Sequence, residues 1–527
     1  MLAKNRRENL VTHVKEARKL VEDAFDRALV GLGLPKNRDP LPAERITNPA
    51  KQVTRKAVDE VMARDCQAGG MSYVDARRRY LEHTAFTLVN RVAALRAMEV
   101  RGFLPKTVIA QDAQYGGLSA WARDILEAGT VEILGESIAV RTADDARLQA
   151  IRAACIAASR DVAIVFDLQD EYSALVPEPA AVKGLVVELT ETVTAYDWAA
   201  DDILGWVYQY YNVPANVEYK VRNRRRGYKM TADDMIVANQ FYTPHWVVRV
   251  LVDNTLGRIW WESIPDLARK RLGEGGSNEE IREEEKSLRR ICRETCSYLV
   301  PLPDEQRLGW WGEEARTNAE ARAVAEARKR YDATVIKPEQ GPNPPPPNVP
   351  SREWMAVCEL KIIDPACGSA HFLLYVFDVL RRMYEVESEP ERPKPTEVPD
   401  LILARNLHGI DVDLRACQLG TFNLYMKARL AYREITGRDA FHPSKLNIVC
   451  AGARIAEGEE RAELLASFGS TPLAQELAEG ILNNLSQTAE IGSLLRIREQ
   501  FDPLLRRQRY IQGRPIQQSF LVLVSHF

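Results

Sequence analysis

The segment Asp364-Pro365-Ala366-Cys367-Gly368-Ser369-Ala370-His371-Phe372 carries a carboxylate, a run of small residues and then an apolar-periodic stretch. The apolar run Leu360–Ile363 precedes it, so the spacing predicts a strand, a tight turn and a helix start. Small side chains let a ligand approach the backbone closely. A helix start presents unpaired N–H groups and a partial positive charge, which suits a phosphate or a carboxylate. The segment therefore has the form of a cofactor-binding first βα turn, with Asp364 at the carboxyl end of its strand.

The wording Asp-Pro-Ala-Cys-Gly-Ser-Ala-His-Phe resembles the S-adenosylmethionine (SAM) motif of the N6-adenine DNA methyltransferases, written DPACGSG before an aromatic residue. The resemblance implies SAM as cofactor, with Asp364 holding its methionine ammonium group. Pro365, Ala366, Cys367, Gly368, Ser369, His371 and Phe372 would form the rest of the cradle. Ala370 stands where the family has glycine, and alanine is tolerated there if its φ stays negative.

Asn406 to Asp413 reads as a second strand ending in acidic residues, followed by a helix over Leu414 to Leu430. An acidic residue in that place accepts hydrogen bonds from ribose hydroxyls in Rossmann-like sheets, a role assigned to Asp411, with Val412 beside it. The gap between the two motifs exceeds the roughly 20 residues of a compact unit. Glu387 to Asp400, Pro-rich and charged, reads as a loop insertion that accounts for the excess. Upstream, Gln240, Tyr242, Thr243 and Pro244 match the family's Q-x-Y/F-T-P segment, which covers the methionine end of SAM, ahead of an amphipathic run from Val247 to Trp261. Thr243-Pro244 also reads simply as a helix start with Pro at the first helical position.

These elements belong to a chain of 527 residues, 46% hydrophobic, with a net charge of −3. That is material for two or three domains, and no uniform basic coat for nucleic acid. No apolar run reaches the roughly 18 residues of a membrane span, and the charged N-terminus lacks a signal-peptide pattern, so a cytoplasmic chain is expected. The eight cysteines form no CxxC pair. Cys292 and Cys296 lie one helical turn apart without further ligands nearby, which favours core packing, and no metal is expected.

Residues 1–230 read as a mainly helical domain. Residues 231–527 read as the α/β domain that the resemblance makes a Rossmann-like SAM-dependent methyltransferase domain. A helical insertion is expected over about 265–335 and a stiff Pro-rich linker over 338–350. Ser277-Asn278-Glu279-Glu280 has the form of a capping box. Phe86 to Glu99 and Leu204 to Tyr211 are similar to helical segments of the long adenine methyltransferases of BREX-type phage defence, the PglX family. Lys220, Arg222, Arg224, Arg225, Arg226 and Lys229 cluster within ten residues. Such a patch can hold DNA phosphates, or be a solvated loop.

The family's catalytic segment, Asn/Asp-Pro-Pro-Tyr/Phe after the fourth strand, has no counterpart following Asp411. Asn343-Pro344-Pro345 lies in a polyproline run, with Pro346 in place of the aromatic. No catalytic residue is assigned, and the apolar tail Gln517 to Phe527 reads as a chain stopping short of its catalytic loop. His442 to Gly452 reads as the third strand and the loop that contacts the SAM adenine. The resemblance implies methylation of adenine N6 in double-stranded DNA, within restriction–modification or phage defence. The alternative is a non-catalytic SAM- or DNA-binding subunit that needs a second chain or other defence proteins.

Overall fold

The computed structural model describes residues 4–69, 71–224, 243–273, 275–302, 305, 350–389, 391–451 and 479. The first part is a stack of helices: α1 (Lys4–Gly31), α2 (Pro49–Gly69), α3 (Tyr73–Val100), α4 (Ala120–Ala128), α5 (Ala143–Ser159), α6 (Ala163–Phe166), α7 (Pro179–Thr190), α8 (Ala195–Trp198) and α9 (Ile203–Asn223). Capping side chains mark several starts. Ser72 accepts from the Asp75 N–H and Thr142 from the Asp145 N–H, each satisfying a donor that the helix leaves open. α3 runs through the middle, with Tyr80, Phe86, Val89, Val92 and Leu95 all buried.

A hairpin interrupts this helical region: β1 (Thr130–Ile133) pairs antiparallel with β2 (Glu136–Ala139). Leu134 and Gly135 turn between them at φ +52° and +82°. Two positive φ values are what a two-residue hairpin turn needs to match strand twist.

Among the described residues, three helices follow: α10 (His245–Asp253), α11 (Leu256–Leu272) and α12 (Asn278–Thr295). The run Val247 to Trp261 is thus broken, because Thr255 leaves helical geometry and Asn254 turns its Nδ2 to the Val250 and Tyr298 carbonyls. Pro244 is the cap residue rather than the first helical residue of α10. The capping box at Ser277 and Glu280 forms with both of its hydrogen bonds. Cys292 and Cys296 are buried, and Cys296 lies against Gly257. Among the described residues no group of three or more His, Cys, Asp or Glu side chains is placed to hold a metal, and no helix is long and apolar enough to cross a membrane.

The α/β part contains β3 (Ile362–Asp364), α13 (His371–Glu385), α14 (Val398–Leu401), a π-helical turn (Ile402–Asn406), β4 (Leu407–Asp411), α15 (Leu414–Thr436) and β5 (Asn447–Cys450). The sheet order is β3-β4-β5. All its pairings are parallel, with Asp364 opposite Gly409 and Asp411 opposite Cys450. Parallel neighbours need crossovers, supplied by α13 and α15.

Asn406, fully buried, ends the π turn rather than starting the strand. Its Nδ2 donates to the Val357 and Leu360 carbonyls at 2.6 and 2.8 Å, and its Oδ1 accepts from Tyr384 at 3.0 Å. The stretch after Glu387 is also more anchored than a surface loop, because buried Glu387 accepts from Trp354 Nε1 and the Val357 N–H. One hydrophobic core extends from Leu10 in α1 to Phe441 after α15.

Gly409 lies in the middle strand. A Cβ there would come within 2.6 Å of Ile448 Cδ1 and 2.9 Å of Cys367 Sγ. Gly409→Val is therefore expected to destabilise the fold by about 1–3 kcal/mol through overpacking. A thermal midpoint equal to wild type would contradict this placement.

Candidate cofactor site

The turn between β3 and α13 has the shape that its small residues permit. Gly368 sits at φ +53° and Ala370 at φ +67°. The expected negative φ at Ala370 is not what the chain adopts: alanine takes the left-handed conformation, at a cost of roughly 1–2 kcal/mol. Its methyl group is wholly buried, which offsets part of that cost. The turn is held by Cys367 N–H to the Ile410 carbonyl at 2.9 Å and Ala370 N–H to the Cys367 carbonyl at 2.8 Å. Beneath it, Asn423 of α15 donates to the Ser369 carbonyl at 3.0 Å. Gly420 lets α15 come close, since a Cβ there would lie 3.1 Å from the Gly368 carbonyl oxygen.

Asp364 accepts the Ala366 N–H at Oδ1, 3.1 Å away. Its Oδ2 is buried and has no hydrogen-bond partner among the described residues. Burial, with Asp411 nearby, pushes its carboxyl above the usual carboxylate range, against the pull of the Ala366 N–H. A buried carboxylate oxygen without a partner costs free energy unless a cationic or donor group reaches it. A few residues away, no side chain caps the start of α13. The site thus offers an anion for a cation and helix N–H groups for an anion, side by side. That donor and acceptor set fits the amino-acid end of SAM.

Asp411 is brought to the same place. Its Oδ2 accepts the Gly368 N–H at 2.8 Å and its Oδ1 the Asp413 N–H at 2.9 Å. Each oxygen retains acceptor capacity. Val412 is exposed at the rim, as are Pro365 and Ala366, while Cys367, Ser369 and His371 are buried and Phe372 is half-buried.

Thr243 and Pro244 lead into α10, whose first residue, His245, reaches the start of α13. The His371 ring stacks on His245, the residue that follows Pro244, at a centroid separation of 6.0 Å. Gln240 and Tyr242 lie outside the described residues, as do Arg225, Arg226, Lys229 and the Asn343-Pro344-Pro345 segment. Lys220 and Arg224 are exposed near the end of α9, and Arg222 lies on that helix. Neither Lys220 nor Arg224 is among the described residues gathered at the turn.

Burial lowers the His371 imidazole from 6.5 to about 4, with His245 adding to the effect and Asp202 opposing it. The folded chain then binds this proton less readily than the unfolded chain. Stability is complete above the ordinary value of 6.5 and is lost as pH falls towards about 4. The full loss is about 3 kcal/mol. His371→Gln should flatten the fall in thermal midpoint between neutral pH and that limit. An unchanged pH profile in the variant would remove His371 as its source.

Gly420 and Asn423 support the site from outside the sequence motifs, and Gly409 and Asp413 support it from within the second motif, where no role was assigned to them. A glycine inside a strand or helix pattern is a signal of close approach, so two of them were marked in the sequence. Asp413 is buried and caps α15, and half-buried Arg415 reaches it with Nε and Nη2 at 3.1 Å.

No family model matches the chain. It is similar to the adenine-specific methyltransferase BrxX of Escherichia coli O9:H4 (strain HS), 26% identical over 384 residues that make up 70% of this chain and 26% of BrxX. It is similar also to the adenine-specific methyltransferase PglX of Lacticaseibacillus casei (strain Zhang), 25% identical over 443 residues, 80% of this chain and 31% of PglX. The chain therefore spans about a quarter to a third of the length of these relatives. Over most of its own length, the chain resembles the adenine-specific methyltransferases BrxX and PglX.

Proposed function

We propose that the chain binds SAM in a Rossmann-like domain over about 231–527 and takes part in methylating adenine N6 in double-stranded DNA, as a component of a cytoplasmic phage-defence system. A mainly helical domain over about 1–230 precedes it. The observation that carries this reading is the buried, unpartnered Asp364 Oδ2 beside the uncapped start of α13, within a motif of the adenine methyltransferases. Asp364 would hold the ammonium group, the start of α13 the carboxylate, and Asp411 the ribose hydroxyls. Gly368, Ser369 and Ala370 keep the turn backbone open to the ligand, and Gln240, Tyr242, Thr243 and Pro244 would close over its methionine end. Bound there, SAM supplies an electrophilic methyl group. Lys220, Arg222, Arg224, Arg225, Arg226 and Lys229 would contact DNA phosphates, which fixes position without reading sequence.

A second reading rests on the absence of an Asn-Pro-Pro-aromatic segment in the sequence. Adenine N6 must be flipped from the duplex and its amino group oriented for attack, and that segment does the orienting in the family. On this reading the chain binds SAM and DNA and a second chain, or other defence proteins, completes the site. Incubation of the purified chain with methyl-labelled SAM and duplex DNA separates the two. Label recovered in N6-methyladenine supports the enzyme. Binding without transfer supports the subunit, and transfer restored by an added chain with the missing segment identifies its partner.

A further inference from the structure

One line of hydrogen bonds runs from the helical part to the glycine turn. Tyr208 on α9 donates its hydroxyl to Asp413 Oδ2 at 2.5 Å. The Asp413 N–H donates to Asp411 Oδ1 at 2.9 Å, and the Gly368 N–H to Asp411 Oδ2 at 2.8 Å. The Asp411 carbonyl accepts the Ala451 N–H at 2.8 Å, which joins the loop after β5 to the same residue. Arg415 grips Asp413 from a second side and lies over the Phe86 ring of α3 at 5.2 Å. The direction of the Asp411 oxygens therefore depends on where the helical part holds Asp413.

A carboxylate that recognises a pair of vicinal hydroxyls must present both oxygens in a fixed plane, and a strand-end side chain without such ties would rotate freely. We propose that Tyr208 is a positioning residue for the nucleoside end of the cofactor, acting through Asp413 on the Asp411 carboxylate. This inference rests on the SAM reading above.

The structure contains its own control. Tyr211 lies one turn further along α9 and packs edge-on against the same Phe86, at 5.1 Å compared with 5.9 Å for Tyr208. Its buried hydroxyl has no hydrogen-bond partner among the described residues. Tyr208→Phe and Tyr211→Phe thus remove the same atom from neighbouring, similarly packed rings, and only one of these atoms is on the line to Asp411.

The test is calorimetric titration of the full chain and both variants with S-adenosylhomocysteine and with its analogue lacking the 2′ and 3′ hydroxyls. Amide exchange at Gly368 and Asp413 is followed in parallel. Tyr208→Phe should weaken S-adenosylhomocysteine by roughly fivefold to tenfold, leave the analogue's affinity unchanged and speed exchange at both amides. Tyr211→Phe should do none of these. Equal losses for the two ligands, equal losses for the two variants, or unchanged exchange would overturn the role of Tyr208 alone. A wild-type chain that binds neither ligand would overturn the SAM reading itself and, with it, the nucleoside role.

Discussion

Asp364→Asn is expected to weaken SAM binding on the order of 100-fold, the scale set by removing one partner of a desolvated charge pair. The thermal midpoint of the ligand-free chain should stay the same or rise. Both effects have one source. Asp364 Oδ2 is buried without a partner among the described residues, and burial raises its carboxyl above the usual range. A raised folded-state value means that stability is lost as pH climbs from the ordinary carboxylate range through that higher value. At neutral pH the substitution removes this cost, and Oδ1 of Asn can still accept the Ala366 N–H. Improved stability together with lost binding is the signature of a group kept for a ligand. A substitution that lowers the midpoint and leaves affinity intact would make Asp364 a structural residue.

Asp413→Ala should have the largest effect on stability, about 3 kcal/mol, because it removes the buried counter-charge of a largely covered arginine, whose side chain is 16% exposed. Burial alone would raise the Asp413 carboxyl, but Arg415 and the hydrogen bonds from Arg415 and Tyr208 outweigh it and hold the carboxyl below its ordinary range. The substitution also removes the cap of α15. The double variant Asp413→Ala with Arg415→Met should recover much of the loss, since no charge is then left buried. Denaturant unfolding of the three chains measures this directly. A single variant within about 0.5 kcal/mol of wild type, the range of ordinary surface changes, would contradict the pairing of Arg415 with buried Asp413.

The pieces legible in the sequence were those with a local cause. The Asp364 turn, the Ser277 capping box and the helix after Asp413 each follow from residues a few positions apart. What lay outside local reach came from long-range contacts. The hairpin at Leu134-Gly135 requires two positive φ values, one of them at leucine, a residue that seldom signals them. Asn406 reads as the first residue of a strand, and it instead closes a π turn because its amide bridges two carbonyls some forty-six to forty-nine positions away. Ala370 adopts the left-handed conformation because Gly420 and Asn423 of α15 press the turn into shape from below. The link from Tyr208 to Asp413 spans 205 positions, and no spacing rule could place it.

On the proposed function, the turn after β3 holds SAM. Calorimetric titration of the purified full chain with SAM tests it most directly. One SAM should bind per chain, saturably, and binding should be lost in an Asp364→Asn variant that remains folded. A folded wild-type chain that releases no heat with SAM and gains no thermal stability from it would mean that this turn is not a SAM site.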